Sequence, residues 1–201
     1  MNVGVVVPWI ETDNEYRRAA FHRVTQHLRD GGYQLYVRAP VDPEASPGAA
    51  RNAGAAQAIS EGCDLLVFND ADSIVSYRQL DELVATADAA PGLVFGYSLY
   101  KRLDREMRCY QEIWAAPSMG CVAIQAACFD EVGGFDAGFQ GWGYEDVEFA
   151  NRCAALWPLR RVDGPLYHLW HGERRDDDSP TDSDPGLTAA NLQRLREGAA
   201  A

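Results

Sequence analysis

The sequence predicts a single α/β domain whose mostly parallel sheet is flanked by helices. Three observations carry that prediction: an unbroken β-branched run at residues 3–7, the alternation of strand-like and helix-like segments to about residue 90, and an acidic cluster, Asp70-Ala71-Asp72, directly behind the third apolar run. A strand buried on both faces reads as a continuous apolar run, as strands of parallel sheets do. Alternating β and α segments imply right-handed crossovers, and ligands of such sheets bind beyond the carboxyl ends of the strands.

Taken in order, the first strand ends at Pro8-Trp9. Asp13 is placed to cap a helix over residues 14–30, with Ala20, Val24 and Leu28 at helical spacing and Gly31-Gly32 as its stop. Residues 33–38 alternate as a second strand. Ser46-Pro47 reads as an N-cap followed by a first-turn proline, opening an alanine-rich helix that runs to Gly62. Residues 64–68 form the third strand, and Ser76 with Gln79 makes a capping box for a helix to about Ala90. The second half is less regular, with strands expected at 93–97, 107–114 and 119–124 and helices at 125–132 and 145–156. Residues 1–172 read as the domain. Residues 173–201 read as a polar acidic linker, a short helix at about 187–197, and an alanine tail.

Composition narrows the function classes. The chain has 201 residues, 47% hydrophobic and 24% charged, enough for one buried core. No stretch approaches the roughly 20 apolar residues of a membrane span. A net charge of −12 disfavours nucleic acid as a partner, because phosphate backbones are bound by clustered Lys and Arg. Binding there would require Arg17, Arg18, Arg23, Arg102, Arg105 and Arg108 to gather on one face. Residues 1–8 lack a basic leader and a cleavage site, so they read as a strand rather than a signal peptide. Five cysteines without a CxxC pair fit scattered thiols in a reducing compartment.

Three motifs carry chemistry. Asp70 and Asp72, one residue apart after a buried strand, are costly unless solvated or paired with a cation, and hard divalent ions take such oxygens readily. Alone the pair also reads as a solvated turn. Gly133-Gly134-Phe135-Asp136 leads into Gly141-Trp142-Gly143-Tyr144-Glu145-Asp146 at the start of a helix, where acids are favoured by the helix dipole and could be no more than caps. His168-Leu169-Trp170-His171 places two imidazoles three residues apart behind a short apolar strand, where they could reach a metal, although such a pair taken alone is more often structural. Asp72, one imidazole and two phosphate oxygens would nearly complete an octahedral site, and the histidine favours Mn²⁺ over Mg²⁺.

In the order Val5-Val6-Val7-Pro8, Arg51-Asn52-Ala53-Gly54, Asn69-Asp70-Ala71-Asp72, Gly141-Trp142-Gly143-Tyr144-Glu145-Asp146 and His168 with His171, the chain resembles the GT-A fold glycosyltransferases. The glycine-tryptophan-glycine segment is most similar to β-1,4-galactosyltransferases and to the catalytic parts of chondroitin-type and polypeptide GalNAc-transferases. The resemblance implies a UDP-sugar donor, with Pro8, Trp9 and Glu11 beside the nucleobase and ribose. It also implies that Arg51 and Asn52 help hold the donor, that Asp70 and Asp72 manage ribose and metal, and that His171, with His168 as competitor, completes the metal shell. By the same match Trp142 and Gly143 border the sugar, Glu145 orients hydroxyls and Asp146 is the catalytic base. Two departures leave the sugar open: Val147-Glu148 follow the acid pair where the galactosyltransferases carry further acids, and their methionine metal ligand has no equivalent. The absence of an anchor and stem points to a cytoplasmic protein of a prokaryotic cell or virus-infected host, acting on a glycan, protein or small-molecule acceptor. Oligomeric state is not legible.

The implied reaction is metal-dependent sugar transfer with inversion; retention stays open, because related retaining enzymes carry similar acidic segments in the same fold. Two alternatives are a catalytically silent nucleotide-sugar or glycan-binding module and a sugar-1-phosphate nucleotidyltransferase. The latter requires a glycine-rich, basic phosphate loop after strand one, and Pro8-Trp9-Ile10-Glu11-Thr12-Asp13-Asn14 has neither feature.

Overall fold

The computed structural model describes residues 1–40, 45–141, 143–172 and 185–198. The first apolar run forms β1 (Val3–Pro8), in which Val5, Val6 and Val7 are wholly buried. It pairs in parallel with β2 (Gln34–Arg38) on one side and β3 (Leu65–Asn69) on the other. The sheet continues through β8 (Cys121–Gln125), β5 (Val94–Phe95) and β9 (Arg160–Arg161), giving the order β2-β1-β3-β8-β5-β9. β8 runs against both of its neighbours and the remaining strands share one direction. The central sheet is therefore mostly parallel, and the expected strand at 93–97 is shortened to two residues.

Helices flank this sheet. α1 (Glu15–Asp30) and α2 (Pro47–Ser60) follow β1 and β2, and α3 (Tyr77–Ala89) packs against β3, β5 and β8. The capping box of α3 forms as expected, with the Ser76 hydroxyl accepting from the Gln79 amide and the Gln79 side chain accepting from Ser76. Two caps differ. Asn14, not Asp13, caps α1, because its side-chain oxygen reaches the amides of Tyr16 and Arg17 at the second and third helical positions. Ser46 stands at the cap of α2 without a side-chain capping bond.

α2 lies close enough to β1 to require Gly54. A Cβ there would run into the γ-methyl of Val6. Gly54→Ala is expected to destabilise by about 1–3 kcal/mol through overpacking, more than the 0.5–1 kcal/mol or so that alanine returns in helix propensity. Urea unfolding of the variant checks this.

A second sheet is not legible in the sequence. It contains β4 (Ser73–Ile74), β10 (Pro165–His168), β6 (Leu99–Leu103) and β7 (Cys109–Trp114), in the order β4-β10-β6-β7. β4 is two residues long, and β6 reads Leu-Tyr-Lys-Arg-Leu, so neither has the length or alternation that marks a strand. The pairing decides the site: β10 lies antiparallel to β4 with His168 opposite Ser73.

α4 (Ala126–Val132) and α5 (Glu145–Leu156) follow, and α6 (Pro185–Gly198) packs against α5. Asn191 of α6 is buried and donates to the carbonyls of Gln140 and Gly143, while its oxygen accepts from the Gln140 amide. Arg194 pairs with Asp136 through two contacts of 2.7 and 2.9 Å. The acidic residues from Asp176 to Asp184 lie outside the described residues. All five cysteines are free thiols; Cys109 is exposed and the other four are buried. Among the described residues no helix is long and apolar enough to cross a membrane.

Candidate active site

The turn behind β3 is tied before it carries any chemistry. Buried Asn69 donates through Nδ2 to the carbonyls of Asp70 and Ser73, at 2.9 and 3.0 Å, and the Ser73 amide returns to the Asp70 carbonyl. The Asp70 amide donates to Gly120 beside β8. The Ser73 hydroxyl donates to Asp72 Oδ1 at 3.1 Å, which leaves Oδ2 facing the strand opposite. The β4–β10 pairing extends through the Leu169 amide, which donates to the Asp72 carbonyl at 2.7 Å. Nε2 of His168 and Nε2 of His171 consequently lie 3.5 and 3.3 Å from Asp72 Oδ2.

One ligand atom each from Asp72, His168 and His171 falls within 4.8 Å of the others, a group able to hold a divalent cation. The charges are coupled. Burial alone would raise the Asp72 carboxyl, but His168 and His171 hold it below the ordinary carboxylate range. Burial would lower His171, whereas its hydrogen-bonded Asp72 partner lifts it above the usual imidazole value; at His168 burial prevails and the value is lowered. A carboxylate and two imidazoles form a mixed oxygen–nitrogen donor set, which suits Mn²⁺ better than Mg²⁺.

Asp70 points elsewhere. Its Oδ1 accepts from Arg51 Nη2 at 2.6 Å, and Arg51 Nη1 donates to Glu145 Oε1 at 3.2 Å. Arg51 and Glu145 are both almost fully buried, so α2, the β3 turn and the start of α5 meet at one guanidinium. Although burial opposes it, the two carboxylates keep Arg51 charged. Glu145 Oε2 is buried with no hydrogen-bond partner among the described residues, which leaves an acceptor for a ligand hydroxyl. Burial first, then the charge of Glu145, pushes the Asp146 carboxyl up to about 7. Arg51 and the Val147 amide, which donates to Asp146 Oδ1, oppose that rise, and Asp70 adds to it.

The remaining sequence-predicted residues divide. Pro8 ends β1, and Trp9 stacks on Phe21 with centroids 4.3 Å apart while its indole N–H donates to Glu11 at 3.2 Å. Trp9, Asp72 and His171 line one cleft with Arg17, Ala20 and Ala71. Asn52 is directed away from it, with Nδ2 donating to the Phe135 carbonyl and Oδ1 accepting from the Phe135 amide. Gly143 takes φ +108 just before Tyr144 at φ +73, a left-handed entry to α5. Trp142 lies outside the described residues. Sequence reasoning gave Asn69 no role beyond its place beside the acidic pair, and weighed Arg17 only as part of a nucleic-acid face, not as a wall of this cleft.

Residues 102–160 match a family model described as the N-terminal domain of galactosyltransferase, less than half of the chain. A 93-residue stretch is 29% identical to human chondroitin sulfate N-acetylgalactosaminyltransferase 1 and covers 42% of this chain. The chain spans only 17% of the length of that curated relative. The fold is that of the GT-A glycosyltransferases. Among solved structures it is similar to a mutant of the Drosophila β1,4-galactosyltransferase 7 in complex with manganese, UDP-Gal and xylobiose. That match has a TM-score of 0.65 at 17% identity and covers 96% of this chain and 80% of that one. It is also similar to GalNAc-T7 with UDP, GalNAc and Mn²⁺, with a TM-score of 0.59 at 15% identity, covering 98% of this chain and 48% of that one.

Proposed function

We propose that the chain is a metal-dependent glycosyltransferase that moves a sugar from a UDP-sugar to an acceptor hydroxyl with inversion. The observation that carries this reading is the juxtaposition at the carboxyl end of β3: Asp72 belongs to the cation-ready group, and Asp70, two residues earlier on the same turn, is bonded through Arg51 to the Glu145–Asp146 corner. The manganese and uridine nucleotides in the two similar structures support the same cofactor and donor here.

Asp72, His168 and His171 would hold the cation. A divalent ion bound there supplies Lewis-acid neutralisation of the departing diphosphate. Trp9 offers an aromatic face at the opening of the cleft, and Arg17 adds positive charge to its wall. Glu145, held by Arg51, presents its unpartnered Oε2 to a sugar hydroxyl. Asp146 takes the proton of the attacking acceptor hydroxyl; a carboxyl raised to about 7 is both largely ionised above neutrality and basic enough to accept it.

The test is a panel of UDP-sugars with Mn²⁺, read as UDP release into water or acceptor. Turnover with one donor is expected, and a chain that binds donors without releasing UDP is a silent binding module instead. Pyrophosphate release from UTP and a sugar phosphate would mark a nucleotidyltransferase.

Cation binding has its own expected result. Mn²⁺ at about a hundred times its Kd adds roughly 2.7 kcal/mol of stability, a rise of about 5–10 °C in Tm for a chain of this size. Asp72→Asn should remove most of that rise in a thermal melt. An unchanged Mn²⁺ response in the variant would place the cation elsewhere.

A further inference from the structure

We infer that Asn14 is a positioning residue for the cation site, fixing His171 through its main chain; the inference rests on reading Asp72, His168 and His171 as cation ligands. The two histidines are held differently. His168 is the last residue of β10 and is registered against Ser73, and the next amide, of Leu169, is bonded to Asp72. His171 lies beyond the strand end, where the sheet no longer dictates its place.

The Asn14 side chain supplies that constraint from another part of the chain. Its Nδ2 donates to the His171 carbonyl at 3.2 Å. Its Oδ1 accepts from the amides of Tyr16 and Arg17 at 3.0 and 3.1 Å. Those two N–H donors require the oxygen to face the helix, so the amide nitrogen must face the carbonyl. One side chain thus caps α1 and ties down His171 across 157 residues of sequence.

Two neighbouring contacts converge on the same junction. Tyr16 meets Trp170 edge to face with centroids 4.6 Å apart, and the Arg105 guanidinium lies over both rings, at 5.3 and 5.8 Å. Gly172 follows His171 at φ +96, and a Cβ there would sit 3.4 Å from Asn14 Nδ2. The first turn of α1 therefore grips the segment that carries His171.

Partners that orient metal ligands typically contribute 10–100-fold in metal affinity, and a bond to a ligand's main chain belongs at the lower end of that range. Asn14→Ser separates the two roles of the residue, because serine caps a helix about as well as asparagine but cannot reach the His171 carbonyl. Mn²⁺ binding is followed by the electron paramagnetic resonance signal of the free ion, without donor or acceptor, alongside the melting curve of the metal-free protein. The expected result is a metal-free Tm close to the parent and Mn²⁺ affinity weakened about tenfold. In a His171→Ala background the same serine substitution should cost no further affinity, since the ligand it orients is gone. Equal Mn²⁺ affinity in Asn14→Ser and parent overturns the inference while leaving the cation site intact, as does an equal loss in the His171→Ala background. A parent chain that binds no Mn²⁺ overturns the cation site and the inference together.

Discussion

Asp146→Asn is expected to lower the rate of sugar transfer about 10²–10⁴-fold, the usual contribution of a general base, with little change in affinity for the UDP-sugar. Asparagine keeps the shape of the side chain at the start of α5 and removes its ability to accept a proton. Calorimetry with the donor separates the outcomes: lost donor affinity would mean that Asp146 binds the nucleotide sugar, and the assignment as base would fail. The raised carboxyl gives a second readout. kcat/KM of the parent should fall about tenfold per unit as pH drops below about 7, as Asp146 is protonated. Stability moves in the opposite sense. The folded-state value lies above the ordinary value of 3.8, so folding favours the protonated form. The contribution of Asp146 is fully present below about pH 4 and is lost as pH rises through about 7. Denaturant midpoints of the metal-free protein should show that decline, and Asp146→Asn should flatten it. The groups facing Asp146 in this account are Glu145, Arg51 and Asp70, so the same titration in Glu145→Gln should shift to lower pH.

Arg51→Met should be the most destabilising substitution in the site, costing about 3–5 kcal/mol and on the order of 10 °C in Tm. The guanidinium is the common partner of Asp70 and Glu145, and removing it strands two carboxylates where water reaches them poorly. The energetic source is the uncompensated buried charge rather than the lost attraction, because a buried pair gains little over a well-packed apolar substitute. This reading predicts its own rescue. Glu145→Gln in the Arg51→Met background should recover part of the lost stability, measured by urea unfolding. Lowering the pH should also narrow the gap to the parent as the stranded carboxylates protonate. A full loss that neither change relieves would mean that Arg51 acts through its packing over the Phe135 ring, 5.4 Å away.

The residues most legible in the sequence were those set by local rules. The valines of β1 and the capping box at Ser76 and Gln79 follow from burial pattern and cap chemistry, which act within a few residues. The cap of α1 falls one residue later than the sequence suggests because Asp13 and Asn14 are both good cap residues, and in the fold it is the Asn14 oxygen that reaches the Tyr16 and Arg17 amides. The β4-β10-β6-β7 sheet was invisible because two of its strands have no pattern of their own and exist through pairing across long separations.

The same division runs through the candidate site. Sequence alone singled out Asp70 and Asp72, since paired acids behind a buried strand are expensive without solvent or a cation, and the family resemblance added Glu145, Asp146, His168 and His171. Neither could distribute them. Folding sends Asp72 to the histidines and Asp70 to Arg51, although the two aspartates are two residues apart, because one edge of their turn is paired with β10 and the other faces α2. Asn14 and Arg51 gain their places in the same way, as side chains that join segments distant in sequence. Composition and spacing can specify which groups a chain carries, but the partner that fixes each group's charge and direction is set by contacts between distant segments, and those form only when the sheets close.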